Sequence, residues 1–117
     1  MTKQEIFDTA VGGVLAQGFQ AVNSEGNCRY RCPKGGKCAI GHLIKDQHYH
    51  PIIENSNVYS ADLREVLEKS IGQEVIVTTK NFLNILQDAH DLNPDMESMT
   101  MAFKRIADKY NLDWNFD

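Results

Sequence analysis

No apolar run in the 117-residue chain approaches the ~20 residues that a membrane-spanning helix needs, so no transmembrane span is expected. The opening residues, Met1 to Glu5, are polar and lead straight into a helical pattern, so no secretory signal is expected either. Cysteine is scarce and odd in number, three in all, which a disulfide-stapled secreted domain does not use. Reduced thiols and a cytoplasmic location are the simpler expectation. There is no internal repeat, low-complexity tract or linker, and the length suits one domain spanning residues 1–117. No P-loop, dinucleotide fingerprint, nucleophile elbow or zinc-protease motif occurs, so those enzyme classes have no sequence support.

Acidic residues are missing from one stretch. The chain has 16 acidic and 12 basic side chains and a net charge of −4. Between Cys28 and Lys45, however, stand Arg29, Arg31, Lys34, Lys37 and Lys45 with no acid, so this window carries +5 and the rest −9. Such polarity lets an anion bind at the cluster while the body repels nucleic acid, so general DNA coating is not expected.

What is present reads as helices around a short hairpin. Thr2 and Glu5 have capping-box spacing, and Ile6, Phe7, Ala10, Val11, Val14 and Leu15 follow on one helical face. Gly12 and Gly13 inside that helix predict close approach of another element, or a kink, and Gly18 is a natural stop. Cys28 to Cys32 alternates like a strand, with Cys28, Tyr30 and Cys32 facing one way and Arg29 and Arg31 the other. Pro33-Lys34-Gly35-Gly36 is a turn signal. A β-hairpin is therefore expected over about residues 27–37. Lys37 to Ile44 fits a short helix slightly better than a strand, with Cys38 under His42 and Ala39, Ile40, Leu43 and Ile44 inward. Residues 46–59 read as a connecting loop broken by Pro51. Ser60 caps a helix bearing Leu63, Val66, Leu67 and Ile71. Glu74-Val75-Ile76-Val77 suggests a short strand, and Thr79 a cap for a helix bearing Phe82, Ile85, Leu86 and Ala89. Pro94 opens a last helix with Met96, Met99, Phe103, Ile106, Ala107 and Tyr110 on one face. Leu112, Trp114 and Phe116 form an aromatic tail (112–117) expected to pack back on the body or into a homodimer contact. The expected fold is α+β, mainly α, with four to five helices.

The chemistry-bearing residues concentrate at Cys28-x3-Cys32-x5-Cys38-x3-His42. The later intervals match a Cys3His zinc finger, and three thiolates with one imidazole would satisfy tetrahedral zinc. Against this, four residues of strand separate Cys28 and Cys32 by roughly 13 Å, and the usual tight Cys-x2-Cys knuckle is missing. Cys28 and Cys38 as small buried hydrophobes bracing a hairpin are the competing reading, and no cofactor is assigned. Cys38 with His42 is also the one thiol–base pair close enough in sequence for a thiol hydrolase or transferase. His48-Tyr49-His50 is an exposed loop pair without neighbouring carboxylates in the sequence, which makes a poor metal site. His90 and Asp91 stand at a helix C-terminus, where His is a common cap.

Cys28-x-Tyr30-Arg31, Lys37-Cys38-Ala39-Ile40-Gly41-His42-Leu43-Ile44, a loop with Tyr49 and Glu54, and Leu86-Gln87-x-Ala89-His90-Asp91 together resemble a set of small, uncharacterised bacteriophage- and prophage-encoded proteins. The resemblance covers roughly residues 3 to 112. It implies action in a bacterial cytoplasm. The shared pattern does not require cysteine at 32, and the position of the histidine at 42 varies, which weakens a structural zinc site. It turns attention to Tyr30, Arg31, Glu54, His90 and Asp91 as polar residues around a shared architectural or binding feature. Small phage accessory proteins often bind and block a host or defence component, so the resemblance implies a non-enzymatic binding protein. Its contact surface would be the positive hairpin (Arg29, Arg31, Lys34, Lys37), and its partner a host or defence macromolecule or an anionic nucleotide. The alternatives are a zinc-containing nucleic-acid module and a small Cys/His thiol enzyme.

Overall fold

Helix α1 (Lys3–Gln17) begins where the capping box sets it. The Glu5 amide donates to Thr2 Oγ1 at 3.1 Å and the Thr2 amide to Glu5 Oε1 at 2.9 Å. It stops at Gly18, whose φ of 79° closes the last turn. The structure, a computed structural model, describes residues 1–56 and 59–116, without the side chains of residues 55 and 74–78. Three further helices follow: α2 (Ala61–Ile71), α3 (Gln73–Asp91) and α4 (Met96–Lys109). Helix α3 packs against α2 on one side and α4 on the other, and α1 lies across α3, α4 and a 3-10 turn at Gly41–Leu43.

The buried stripes follow the helical periodicity. Leu63, Leu67 and Ile71 of α2, Phe82, Leu86 and Ala89 of α3, and Met99, Phe103, Ile106 and Ala107 of α4 all face one core. Each leucine, isoleucine, methionine and phenylalanine among them contributes about 1.5–3 kcal/mol by leaving water, and the alanines less. Ala39, Ile40, Leu43 and Ile44 point inward as the short-helix reading requires, although only a 3-10 turn forms there. The aromatic tail folds back: Trp114 and Phe116 meet Phe7 at ring-centroid distances of 6.1 and 6.2 Å. The Gln4 side chain pins it by pairing with both the amide and the carbonyl of Asp113, at 2.8 and 3.1 Å. Among the described residues, no helix is long and apolar enough to cross a membrane.

Three expectations are corrected. The fold is all-α, because among the described residues no strand or sheet forms. The region expected as a hairpin has two isolated antiparallel bridges, Val22 with Cys28 and Arg31 with Lys37. The alternation of Tyr30 and Cys32 inward is real, but the amides of Tyr30 and Arg31 go to the Glu54 carboxylate, so no ladder can propagate. Glu74 to Val77 lies in α3, which starts at Gln73, so Thr79 is an interior residue and not a cap. Four β-branched or charged residues differ from good helix formers by only a few tenths of a kcal/mol each, too little to stop a 19-residue helix. The last helix is capped by Asp95, whose carboxylate accepts from the Ser98 amide at 2.8 Å, with Pro94 just before it.

Candidate functional site

The long segment between α1 and α2 carries nearly all the residues singled out above, and three polar hubs hold it, one within the segment and two tying it to α1 and α3. The first is Glu54, on a 3-10 turn (Pro51–Asn55), with its side chain only 4% exposed. It accepts from the Tyr30 amide at 2.9 Å, the Arg31 amide at 3.2 Å, Arg29 Nε at 3.1 Å and the Tyr49 hydroxyl. Burial, with the hydrogen bond to Glu54 next, pushes the Tyr49 phenol up to about 12, so it remains a donor. Burial holds the Tyr30 phenol above its ordinary value too, and its hydroxyl donates to the Ser56 carbonyl.

The second hub is Gln17, at the end of α1. Its amide nitrogen donates to the carbonyls of Phe19 and Lys37, both at 2.8 Å. Its oxygen accepts from the Lys37 amide at 2.9 Å and lies 3.0 Å from His42 Nε2. His42 fits here because Gly13 has no side chain: a Cβ on Gly13 would stand 2.4 Å from the imidazole. Burial, then the Lys37 charge, depress the His42 pKa to about 4, so the ring is neutral near pH 7. Gly41 is needed for similar reasons, since a Cβ there would come within 2.1 Å of the Tyr30 carbonyl oxygen.

The third hub closes α3. Gln87 accepts from the Ile40 amide at 3.1 Å and donates to Asp91 Oδ1 at 2.8 Å. His90 is completely buried; its Nε2 accepts from the Ala21 amide at 3.0 Å. That backbone donor fixes the tautomer, so Nδ1 carries the proton and donates to Asp91 Oδ1 at 2.8 Å. Gln20 donates to the His90 and Asp91 carbonyls at 3.0 and 3.1 Å, satisfying acceptors that a helix end leaves open.

The candidate residues therefore separate into groups that sequence spacing does not show. Cys28, Cys32, Cys38 and His42 are not gathered as one ligand set. The metal-capable group within 4.8 Å among the described residues is Cys28, His90 and Asp91. In that group both His90 nitrogens already hold hydrogen bonds, and an ion at Nδ1 would have to displace the Asp91 contact. Cys28 Sγ lies 3.8 Å from the Asp91 carbonyl, and burial, then the Asp91 charge, raise its pKa to about 12. Cys38 is fully buried, which drives its pKa well above the ordinary thiol value, and its sulfur accepts from the Gly41 amide at 3.3 Å. Neither thiol has the exposed, thiolate-favouring surroundings of a nucleophile.

The positive window is mostly neutralised from within. Arg29 pairs with buried Glu54, and Arg31 meets Asp46 Oδ1 at 2.7 Å while stacking 4.3 Å above the Tyr49 ring. Lys37 reaches the same Asp46 oxygen at 3.6 Å. Lys34 and Lys45 have no ion pair among the described residues. An isolated electropositive turn is thus not what the segment presents. Lys34 instead stands at the edge of a mainly apolar groove of about 380 Å3 lined by Phe19, Val22 and Pro33. Its walls are two hydrogen-bonded turns, closed by Gly26 N to Asn23 O at 3.0 Å and Gly35 N to Cys32 O at 2.9 Å. Gln17, Gln20 and Asp46 carried no signal in the sequence; Gln87 stood in the phage-protein pattern without a role. No protein-family model matches the chain, and no curated protein or solved structure matches it either.

Proposed function

We propose that the chain is a non-catalytic binding protein of the small phage accessory type, docking on a host or defence protein through the groove between the two turns. The observation that carries this reading is Lys34, an exposed cation with no ion pair among the described residues, at the rim of an apolar concavity. That pairing suits an apolar side chain flanked by a carboxylate on the partner, where charge speeds association and the apolar contact holds it. A nucleotide phosphate asks for several converging donors. Arg29, Arg31 and Lys37 are engaged with Glu54 and Asp46, which favours a protein over an anionic nucleotide.

The test is retention of ligands from a bacterial lysate on wild-type and Lys34→Glu protein, followed by affinity measurement on whatever protein is retained. Lys34 is exposed, so the reversal leaves the fold in place. Binding of the retained protein should weaken by more than about tenfold, the loss of one well-placed charge and its replacement by a repulsive one. Equal affinity for the two forms removes the groove from the mechanism, and retention of a nucleotide in place of a protein replaces the reading.

A further inference from the structure

The aromatic tail grips α1 and not the helix it extends. Leu112 closes the end of α4, its amide donating to the Ala107 carbonyl at 2.8 Å. Among the described residues, 113–116 make no backbone-to-backbone hydrogen bond and are held through side chains. Gln4 takes both backbone groups of Asp113, and Asn115 Nδ2 donates to the Asp8 carboxylate at 3.3 Å. Phe116 lies where a Cβ on Gly12 would come within 3.0 Å of its ring. Trp114 and Phe116 pack edge to face at 5.0 Å and both meet Phe7. Towards α4 the tail instead borders an open concavity of about 400 Å3 lined by Lys104, Ala107 and Asp108, with the Lys104 ammonium 5.3 Å from the Trp114 ring.

One residue turns the tail back onto α1. Asn111, at φ 55°, is the only non-glycine in the left-handed region among the described residues. That conformation is unfavourable for any residue with a side chain, asparagine less than most. With a helical φ at Asn111, α4 would run on and residues 112–116 would leave the α1 of their own chain. The surface they vacate is shaped for this same segment, so the occupant that fits it is the tail of a second copy. We propose that residues 112–116 form an exchangeable arm, and that two copies of this chain pair by seating each arm on the other's α1. The exchange is reciprocal and closes on a two-fold axis, and every contact between arm and α1 in the monomer recurs in the dimer. At low concentration the arm's own α1 wins, because the short tether holds it at an effective concentration on the order of millimolar. This interface is independent of the docking groove.

The test is the mass in solution of the whole chain, read by size-exclusion chromatography with light scattering from about 10 µM to about 1 mM, a range reaching that effective concentration. A thermal melt of each variant confirms folding. Wild type should be monomeric at the low end and partly dimeric at the high end. Asn111→Ala favours helix over the left-handed turn and should move the midpoint severalfold lower, whereas Asn111→Gly favours the turn and should move it higher. Adding Trp114→Ala and Phe116→Ala to Asn111→Ala removes the ring anchor and should abolish the dimer. Trp114, the one tryptophan of the chain, should keep its emission maximum as the dimer forms, because it packs on Phe7 in both states. Monomer throughout for wild type and Asn111→Ala alike overturns the inference. So does a dimer that ignores the Asn111→Gly change or survives loss of both rings, since another face then makes it. A red shift of the emission on pairing would show the arms released and not exchanged, which is equally fatal.

Discussion

Glu54 shows what a single buried carboxylate does in this fold. It takes two consecutive backbone amides, a guanidinium and a phenol, so its removal leaves four donors short of an acceptor at once. Glu54→Ala should cost about 3–5 kcal/mol, as for other buried charges deprived of their partner. Glu54→Gln keeps one carbonyl acceptor and should cost about 1–3 kcal/mol. Chemical-denaturation midpoints measure both, and a loss below about 0.5 kcal/mol for the alanine form would place Glu54 among ordinary surface residues. Glu54, His90 and Asp91 were picked out by the phage-protein pattern, and their location was not. Glu54 meets residues 23 to 25 positions earlier in the chain, and His90 meets Ala21 from 69 positions away. A pattern can mark such residues as polar and noteworthy; it takes coordinates to show that they staple loops instead of lining a cleft.

The helices, apart from the first turns of α3, were legible because their stability comes from periodic burial, which is written locally. Leu63, Leu67 and Ile71 or Met99, Phe103 and Ile106 declare a face whatever lies opposite. The segment from Gly18 to Ser56 was not, because its backbone bonds close mostly short turns and it is held by side chains, Glu54 from within and Gln17 and Gln87 from α1 and α3. The alternation at Cys28 to Cys32 read as a strand, but a strand needs a partner, and here Glu54 takes the amides of Tyr30 and Arg31. Gly13 is the position where helix and segment fit together. In an exposed helix, Gly→Ala stabilises by about 1 kcal/mol. At Gly13 the new methyl would stand 2.4 Å from the His42 ring, so His42 must move and Gln17 loses one of its four contacts. Gly13→Ala should therefore destabilise by about 1–3 kcal/mol net, the usual range for overpacking. A rise in the melting temperature would show that α1 and the Gly41–Leu43 turn have room to separate.

For the whole molecule, the separation of charge seen in the sequence is largely internal. Asp46 answers both Arg31 and Lys37, and Glu54 answers Arg29, so the basic window and the acidic body are joined by ion pairs rather than opposed across the surface. Asp46 is 82% exposed, so its pairs add little to stability, whereas the pair between partly exposed Arg29 and buried Glu54 acts through the hydrogen bonds around Glu54. The response to acid then depends on groups buried in the neutral form. His42 is one, with a folded-state pKa near 4 against about 6.5 for an unfolded histidine. Between those values the unfolded chain binds a proton that the folded chain refuses, so unfolding free energy falls as pH is lowered from about 6.5 towards 4 and is flat above that window as far as this group is concerned. His42→Gln removes the group, at a cost in packing that does not vary with pH. The stability advantage of wild type over His42→Gln should thus be largest near pH 7 and shrink steadily to pH 4, while carboxylate titration affects both proteins alike. Denaturant midpoints at half-unit pH steps read this directly. A constant difference across the window would mean that His42 takes up its proton without leaving Gln17, and that another buried group governs acid unfolding.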